Sequence, residues 1–294
     1  MREKVVGIIG LGLMGQAFST RLQSHGYQTL GYDINHDRCH EFGSTRVASS
    51  VMALAEQTDT LILCLFDAKQ VHDTLLGPQG LLSASRAEPL NIICTSTCEP
   101  EAICEIAAAT HKLSARFIEM PISGTSKQVA NGDCLGLMGG DKKAIDNLSP
   151  ILDAMCAKRM YVGEIGSASK AKLAINLVLG LHRAALAEGL VFGQRIGLDA
   201  DTLLSLLQNS AAESSVMRVK GPLMTKRKYD EPQSRVDQSL KDFGLIHKLA
   251  TQNNQPLPLA TQYTELLEAC LERGEGKQDN AIIFEAIHRR GDPN

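Results

Sequence analysis

The chain has 294 residues, a formal net charge of −3, 44% hydrophobic and only 4% aromatic residues, and no Trp. That length suits about two domains at roughly 100–200 residues each. The near-neutral balance, without basic–aromatic interleaving, excludes a nucleic-acid binder. No uninterrupted apolar run approaches the roughly 18 residues of a membrane span. Eight cysteines occur without a CxxC pair, several inside apolar runs such as "LILCLF" and "NIICT". They read as buried thiols of a reducing, cytoplasmic protein.

The start, "MREK" followed by "VVGIIGLGLMGQAF", imitates a secretory signal. It lacks a small-residue cleavage site, and the apolar run continues into an amphipathic pattern, so it reads as part of the fold. In chain order, "KVVGIIG" is a strand and "MGQAFSTRLQSHG" a helix ended by Gly26. "YQTLGYD" is a second strand, finishing on Asp33, followed by helical "HDRCHEFGS" and the short "TRVA". Helix "SSVMALAEQ", capped by Ser49 or Ser50, precedes the continuous apolar strand "DTLILCLF". Helix "AKQVHDTLLG", strand "LNIICTST" and helix "EPEAICEIAAATHKL", with Pro100 in its first turn, follow. "RFIEMPI", "CLGLMGG" and "RMYVG" complete the strands. This alternation predicts a doubly wound, mostly parallel α/β sheet.

After Gly166 the strand signals stop. "SASKAKLAINLVLGLHRAALAEGLVFGQRIG" is one long helical stretch, and the segments beginning at Asp199, Arg235, Leu259 and Ala281 are helical too. The expected division is residues 1–165, an α/β domain, and 166–294, an all-α domain, with "GDPN" as a frayed tail.

Gly10, Gly12 and Gly15 fall where the first strand turns into a helix. Gly10 permits the tight turn, Gly12 lets the backbone approach a pyrophosphate at the helix N-terminus, and Gly15 allows close helix–sheet packing. Asp33 lies 18 residues beyond Gly15, near the ~20 expected for the acid that reads a ribose diol. The pattern predicts dinucleotide binding. A carboxylate there repels a 2′-phosphate, so NAD(H) is favoured, with NADP(H) as the alternative offered by Arg38. His36, Cys39 and His40 share a short helical stretch but have no second cluster at ligand spacing, so no metal site is expected. The basic run "KGPLMTKRK" from Lys220 reads as a solvated loop or helix end.

At this point the chain resembles the β-hydroxyacid dehydrogenase family, which includes 3-hydroxyisobutyrate dehydrogenase and tartronate semialdehyde reductase. "GIIGLGLMGQAFSTRLQSHGY", "EMPISGTSKQVANGDCLGLMGG", "GEIGSASKAKLAIN" and "LKDFGL" carry the likeness, in the family's order and over nearly the whole length. The resemblance implies a Rossmann domain followed by a helical substrate and dimerisation domain, in a homodimer or homotetramer. It implies Lys172 as the catalytic lysine and Asn176 as its companion. Ser123 and Gly124, with Thr125 in the same loop, would hold the carboxylate of a small substrate. Gly10, Leu11, Gly12, Leu13, Met14, Gly15, Asp33, Leu65, Phe66, Thr97 and Lys241 would hold the cofactor. The chain departs from the family pattern at Phe66 (commonly Pro), Cys94 (commonly Asp), Thr125 (commonly Gly) and Ile175 (commonly Asn). Thr125 bears most on substrate identity.

The chemistry expected is hydride exchange between a nicotinamide and a small β-hydroxy acid or its semialdehyde, with Lys172 relaying the proton. Lys172 and Asn176 are i and i+4 on a helix, so they share a face, whereas Lys170 points elsewhere. Arg218 and Lys220 are either surface charges or contacts to a second anionic group on the substrate. The competing readings are an imine reductase on the same scaffold, which commonly lacks the lysine, and a non-catalytic dinucleotide-binding module, which has no use for both Lys172 and Asn176.

Overall fold

A computed structural model describes residues 5–82 and 89–291. The signal-like residues 1–4 and the tail from 292 onward lie outside the described residues. Contacts divide the chain into two compact units, Met1–Lys172 and Leu173–Asn294. The division falls inside one long helix, whereas the change in sequence pattern comes where that helix begins.

The first unit is built on strands β1 (Val5–Ile9), β2 (Gln28–Tyr32), β3 (Thr60–Leu63), β4 (Asn91–Cys94), β5 (Arg116–Glu119), β6 (Ile122–Ser123), β7 (Leu135–Gly139) and β8 (Arg159–Gly163). They form one sheet in the order β2-β1-β3-β4-β5-β7-β6, with β8 also beside β7. The pairs from β2 to β5 are parallel, and so is β7 with β8; β7 runs antiparallel to β5 and β6. "TRVA" contributes a single parallel bridge, Val47 to Gly31, beyond β2. Between the strands run helices α1 (Leu13–Gln23), α2 (His36–Phe42), α3 (Val51–Gln57), α4 (Ala68–Leu76), α5 (Pro100–Lys112), α6 (Ser126–Asn131), α7 (Lys142–Asn147) and α8 (Ser149–Met155).

The continuous apolar strands are explained by burial on both faces. In β3, Ile62 points into a core with Ile8, Phe18, Leu22 and Leu152. Its neighbours Leu61 and Leu63 point into the opposite core with Leu54, Val71, Leu75 and Ile103. Ile93 and Ile92 of β4 divide in the same way. Each such side chain, removed from water, contributes roughly 1.5–3 kcal/mol. Caps follow the local chemistry: the Ser50 hydroxyl accepts from Ala53 N–H, and the side chains of Asn35, Asp67 and Asp141 cap α2, α4 and α7.

The second unit is helical: most of α9 (Ser167–Arg195), then α10 (Ala200–Gln208), α11 (Ser215–Thr225), α12 (Val236–Gln252), α13 (Pro258–Glu272) and α14 (Ile283–Arg290). Its core gathers Leu173, Leu186, Leu190, Phe243, Tyr263, Leu267 and Phe284. Phe243 and Tyr263 pack with ring centroids 4.6 Å apart. Gly180 sits against them, where a Cβ would collide with the Phe243 ring, so its helix-propensity cost is accepted for packing.

Although no uninterrupted apolar run reaches membrane length, α9 is long and apolar enough by length and composition to cross a bilayer. The core helix of a globular unit meets the same measure. Leu186, Ala187, Leu190 and Val191 of α9 lie in the helical core, while Val178, Phe192 and Ile196 are exposed. All eight cysteines are free thiols. Among the described residues, no three His, Cys, Asp or Glu side chains gather to hold a metal.

Candidate active site

The neighbours of β1 are β2 and β3, so the sheet reverses its winding there. In doubly wound sheets ligands bind beyond the carboxyl ends of the strands at that point. The loops leaving β1, β2, β3 and β4 carry, in turn, the glycine run, Asp33, Leu65 with Phe66, and Thr97. Gly10 has φ +93°, a conformation that favours glycine, and its N–H donates to Tyr32 O at 2.9 Å. A Cβ on Gly15 would collide with the Gly10 carbonyl oxygen, and one on Gly12 would meet only Arg38 Nη1, at 3.9 Å. Gly12 is the N-cap of α1; it provides no side-chain cap, and the first turn holds no acid. The N–H groups and positive dipole end of α1 thus face the open side of Gly12, which fits a pyrophosphate.

Asp33 does more than its spacing suggests. Its side chain is only 4% exposed. Oδ2 accepts from Leu11 N–H at 2.7 Å, and Oδ1 accepts from Asn35 N–H at 2.8 Å. Arg38 Nη1 lies 3.4 Å from Oδ2. The carboxylate therefore ties the glycine loop to the end of β2. Ile34, the next residue, is 81% exposed. Leu65 N–H donates to Ser96 Oγ at 2.9 Å, joining the loops after β3 and β4, and Phe66 N–H donates to Gln70 Oε1. Thr97 is buried.

In the expected substrate loop, Ser123 ends the short β6 and is half-buried, while Gly124 is exposed. A Cβ on Gly124 would lie 3.0 Å from Cys134 Cβ. Thr125 caps α6. Its Oγ1 accepts from Gln128 N–H at 3.3 Å, and its own N–H donates to Gln128 Oε1 at 2.9 Å. This capping box engages the hydroxyl that the sequence reading places in the substrate loop, and it holds Thr125 buried.

Lys172 is buried on α9, whereas Lys170 is exposed. One turn beyond Lys172, Asn176 Nδ2 donates to Asp242 Oδ2 at 2.8 Å. Lys241 Nζ lies 2.8 Å from Asp242 Oδ1, both side chains being largely buried. The sequence reading takes Lys241 from "LKDFGL" and passes over Asp242. The signal was the pairing itself: a carboxylate beside a lysine in a segment otherwise read only for its cation.

Arg218 is the surface charge that one sequence alternative gives, whereas Lys220 is not. Arg218 is exposed and paired with Glu213 at 2.9 Å. Lys220 is in the core, its Nζ 2.7 Å from Asp279 Oδ1 and 2.9 Å from Ser234 Oγ. Burial lowers its pKa to about 8. Asp279 also accepts from Gln233 and Ala281 N–H groups. Lys220 is thus a buried cation paired with Asp279, not a solvated charge.

Residues 5–163 match the family described as the NAD binding domain of 6-phosphogluconate dehydrogenase. Residues 166–287 match the one described as NAD-binding of NADP-dependent 3-hydroxyisobutyrate dehydrogenase. The chain is 30% identical to L-threonate dehydrogenase of Escherichia coli strain K12, over 95% of this chain and 93% of that protein. It is 29% identical to glyoxylate/succinic semialdehyde reductase 1 of Arabidopsis thaliana, over 96% and 98%. The crystal structure of 3-hydroxyisobutyrate dehydrogenase from Salmonella typhimurium superposes with a TM-score of 0.85 at 28% identity, covering 96% of this chain and 99% of that one. With the glycine cradle, the two-part fold and these matches together, the chain belongs to the β-hydroxyacid dehydrogenase family, as an NAD(P)-dependent oxidoreductase acting on CH–OH.

Proposed function

We propose that this protein interconverts a small β-hydroxy acid and its semialdehyde, with NAD(H) as the preferred cofactor and Lys172 as general acid and base. The observation that carries the reading is the arrangement on α9: a buried Lys172 one turn from an Asn176 held by Asp242. The bound nicotinamide supplies or accepts the hydride. As the carbonyl is reduced, the Lys172 ammonium gives a proton to the oxygen, and in the oxidation its neutral amine takes the hydroxyl proton. Asp242 claims the Asn176 Nδ2, which leaves Oδ1 to accept from the Lys172 ammonium or the substrate hydroxyl. Ser123 and the Gly124 backbone bind the substrate carboxylate; Thr125 fixes their loop through its cap.

Gly10 to Gly15, Asp33, Leu65, Phe66, Thr97 and Lys241 form the cofactor site, within a division of labour at about residue 165. The preference for NAD(H) rests on the Asp33 carboxylate beside the glycine loop, which has the Arg38 guanidinium of α2 3.4 Å away, and on an apolar Ile34 next to it. The helical half makes a homodimer or homotetramer through its exposed Val178, Phe192, Ile196, Leu198 and Leu206; light scattering at micromolar concentration checks this, a monomer being the contrary result. Free thiols throughout fit a reducing, cytoplasmic setting.

The test is NADH oxidation with a panel of short semialdehydes and glyoxylate, and NAD⁺ reduction with the matching hydroxy acids, each repeated with NADPH. Turnover of at least one carboxylate-bearing substrate, faster with NADH, is expected. Activity on cyclic imines alone would replace this reading with the imine-reductase one.

A further inference from the structure

Glu119, the last residue of β5, is 1% exposed. Its Oε1 accepts from Ala168 N–H at 2.9 Å. Its Oε2 accepts from Ser169 N–H at 3.2 Å and from Ser169 Oγ at 2.7 Å. Both oxygens are therefore spent on the first turn of α9. There they meet N–H groups that no helical carbonyl can satisfy, at the positive end of the longest helix in the chain. Burial pushes the Glu119 carboxyl up from its ordinary range, and these hydrogen bonds act against that shift. Room for the carboxylate is made by Gly139 of β7, where a Cβ would collide with Oε1.

The consequence for chemistry follows from helix geometry. The Ala168 carbonyl lies four residues before Lys172, so it accepts the Lys172 N–H in the helical ladder. One peptide unit thus separates the Glu119 contact from the backbone of the lysine. In the other direction along the chain, Glu119 is followed by Met120, Pro121 and the β6 pair Ile122–Ser123, which opens the expected carboxylate loop. We infer that Glu119 is a positioning residue: one buried carboxylate sets both the rotation of the first turn of α9, and with it the direction of Lys172, and the departure of the Ser123 loop. A displacement of about 1 Å at a reacting group can cost on the order of 100-fold in rate, so this anchor acts on turnover as well as on stability.

This inference rests on the reading of Lys172 as the proton relay. The experiment uses the full-length protein and compares wild type with Glu119→Gln, Ser169→Ala, Gly139→Ala and Lys172→Ala. Glu119→Gln keeps the size but turns an NH₂ toward one of the N–H donors. Ser169→Ala removes only the hydroxyl bond, and Gly139→Ala displaces the carboxylate without removing it. Melting by circular dichroism, the NADH dissociation constant, and kcat with its deuterium isotope effect from 4-deuterated NADH are read for each.

The expected result is a roughly 10- to 100-fold fall in kcat for Glu119→Gln and a smaller fall, about 3- to 10-fold, for Ser169→Ala and Gly139→Ala. NADH affinity should stay within about twofold and the isotope effect should rise, as misdirected chemistry becomes slower than product release. A purely structural carboxylate would lower melting and leave kcat and the isotope effect of the folded protein unchanged, which overturns the inference. If Glu119→Gln does not fold, wild-type kcat in both Ser169→Ala and Gly139→Ala overturns it instead. Full activity in Lys172→Ala marks the failure of the proton-relay reading; an inactive Lys172→Ala beside a fully active Glu119→Gln marks failure of the positioning inference alone.

Discussion

Asp33→Ala separates two roles that its position in the sequence runs together. The carboxylate accepts from Leu11 N–H at 2.7 Å, and Leu11 is fully buried. Removing the acceptor leaves that donor without water or partner, a loss of about 1–3 kcal/mol. Asn35 is exposed, so water replaces its bond to Oδ1 at little cost. The Arg38 pair, with a guanidinium 41% exposed, contributes at most about 1 kcal/mol. The substitution should thus cost about 1–4 kcal/mol of stability, a substantial share of an ordinary domain's margin. Because Leu11 sits inside the glycine loop, NADH and NADPH should both bind more weakly. NADPH should lose less, since the charge that repels its 2′-phosphate is gone. The assay is a urea titration followed by far-ultraviolet circular dichroism, suited to a chain without Trp, together with the fluorescence of bound NADH and NADPH. An unchanged urea midpoint with a loss confined to NADH would refute the loop-anchor argument and return Asp33 to the ribose alone.

Asp242→Asn removes the charge that holds Asn176 and Lys241; hydrogen bonds to charged groups contribute about 1.5–3 kcal/mol, so kcat/KM should fall about 10- to 100-fold, and wild-type kinetics would show that Asn176 needs no anchor. Lys220→Ala breaks a buried pair with Asp279 and should cost about 3–5 kcal/mol while the folded fraction keeps its KM for substrate; a raised KM without loss of stability would make Lys220 a substrate contact after all. Thr125→Ala removes the cap of α6 and should cost about 1 kcal/mol without changing the order of preferred substrates. A reordered panel would put the Thr125 hydroxyl on the substrate.

Much of the fold was legible because its signals are local. Leu61, Ile62 and Leu63 announce a strand buried on both faces, and the Gly10–Gly15 run announces the turn into α1. Helices α6, α7 and α8, of six or seven residues, are too short for a helical period to show and go unread in the sequence, although the equally short α2 and α3 are read. Helix α11 was hidden by Gly221 and Pro222, which argue against a helix. Yet α11 runs through both, and Gly221 packs where a Cβ would strike Leu204. At the site, the sequence names residue types at a spacing but not their partners. Nothing local shows that Asp33 bonds the Leu11 N–H, that Asp242 holds Asn176 from 66 residues away, or that Lys220 lies in the core beside Asp279. Those pairings are long-range, and burial decides them.

The central claim is that Lys172 moves the proton while other residues hold the cofactor. Its most direct test is kcat of Lys172→Ala against wild type on the best substrate of the panel, with NADH affinity measured on the same preparation. General acid–base groups contribute about 10²–10⁴-fold, so turnover should fall by that factor with the NADH dissociation constant nearly unchanged, and the exposed Lys170→Ala should be silent. Wild-type turnover in Lys172→Ala would contradict the account.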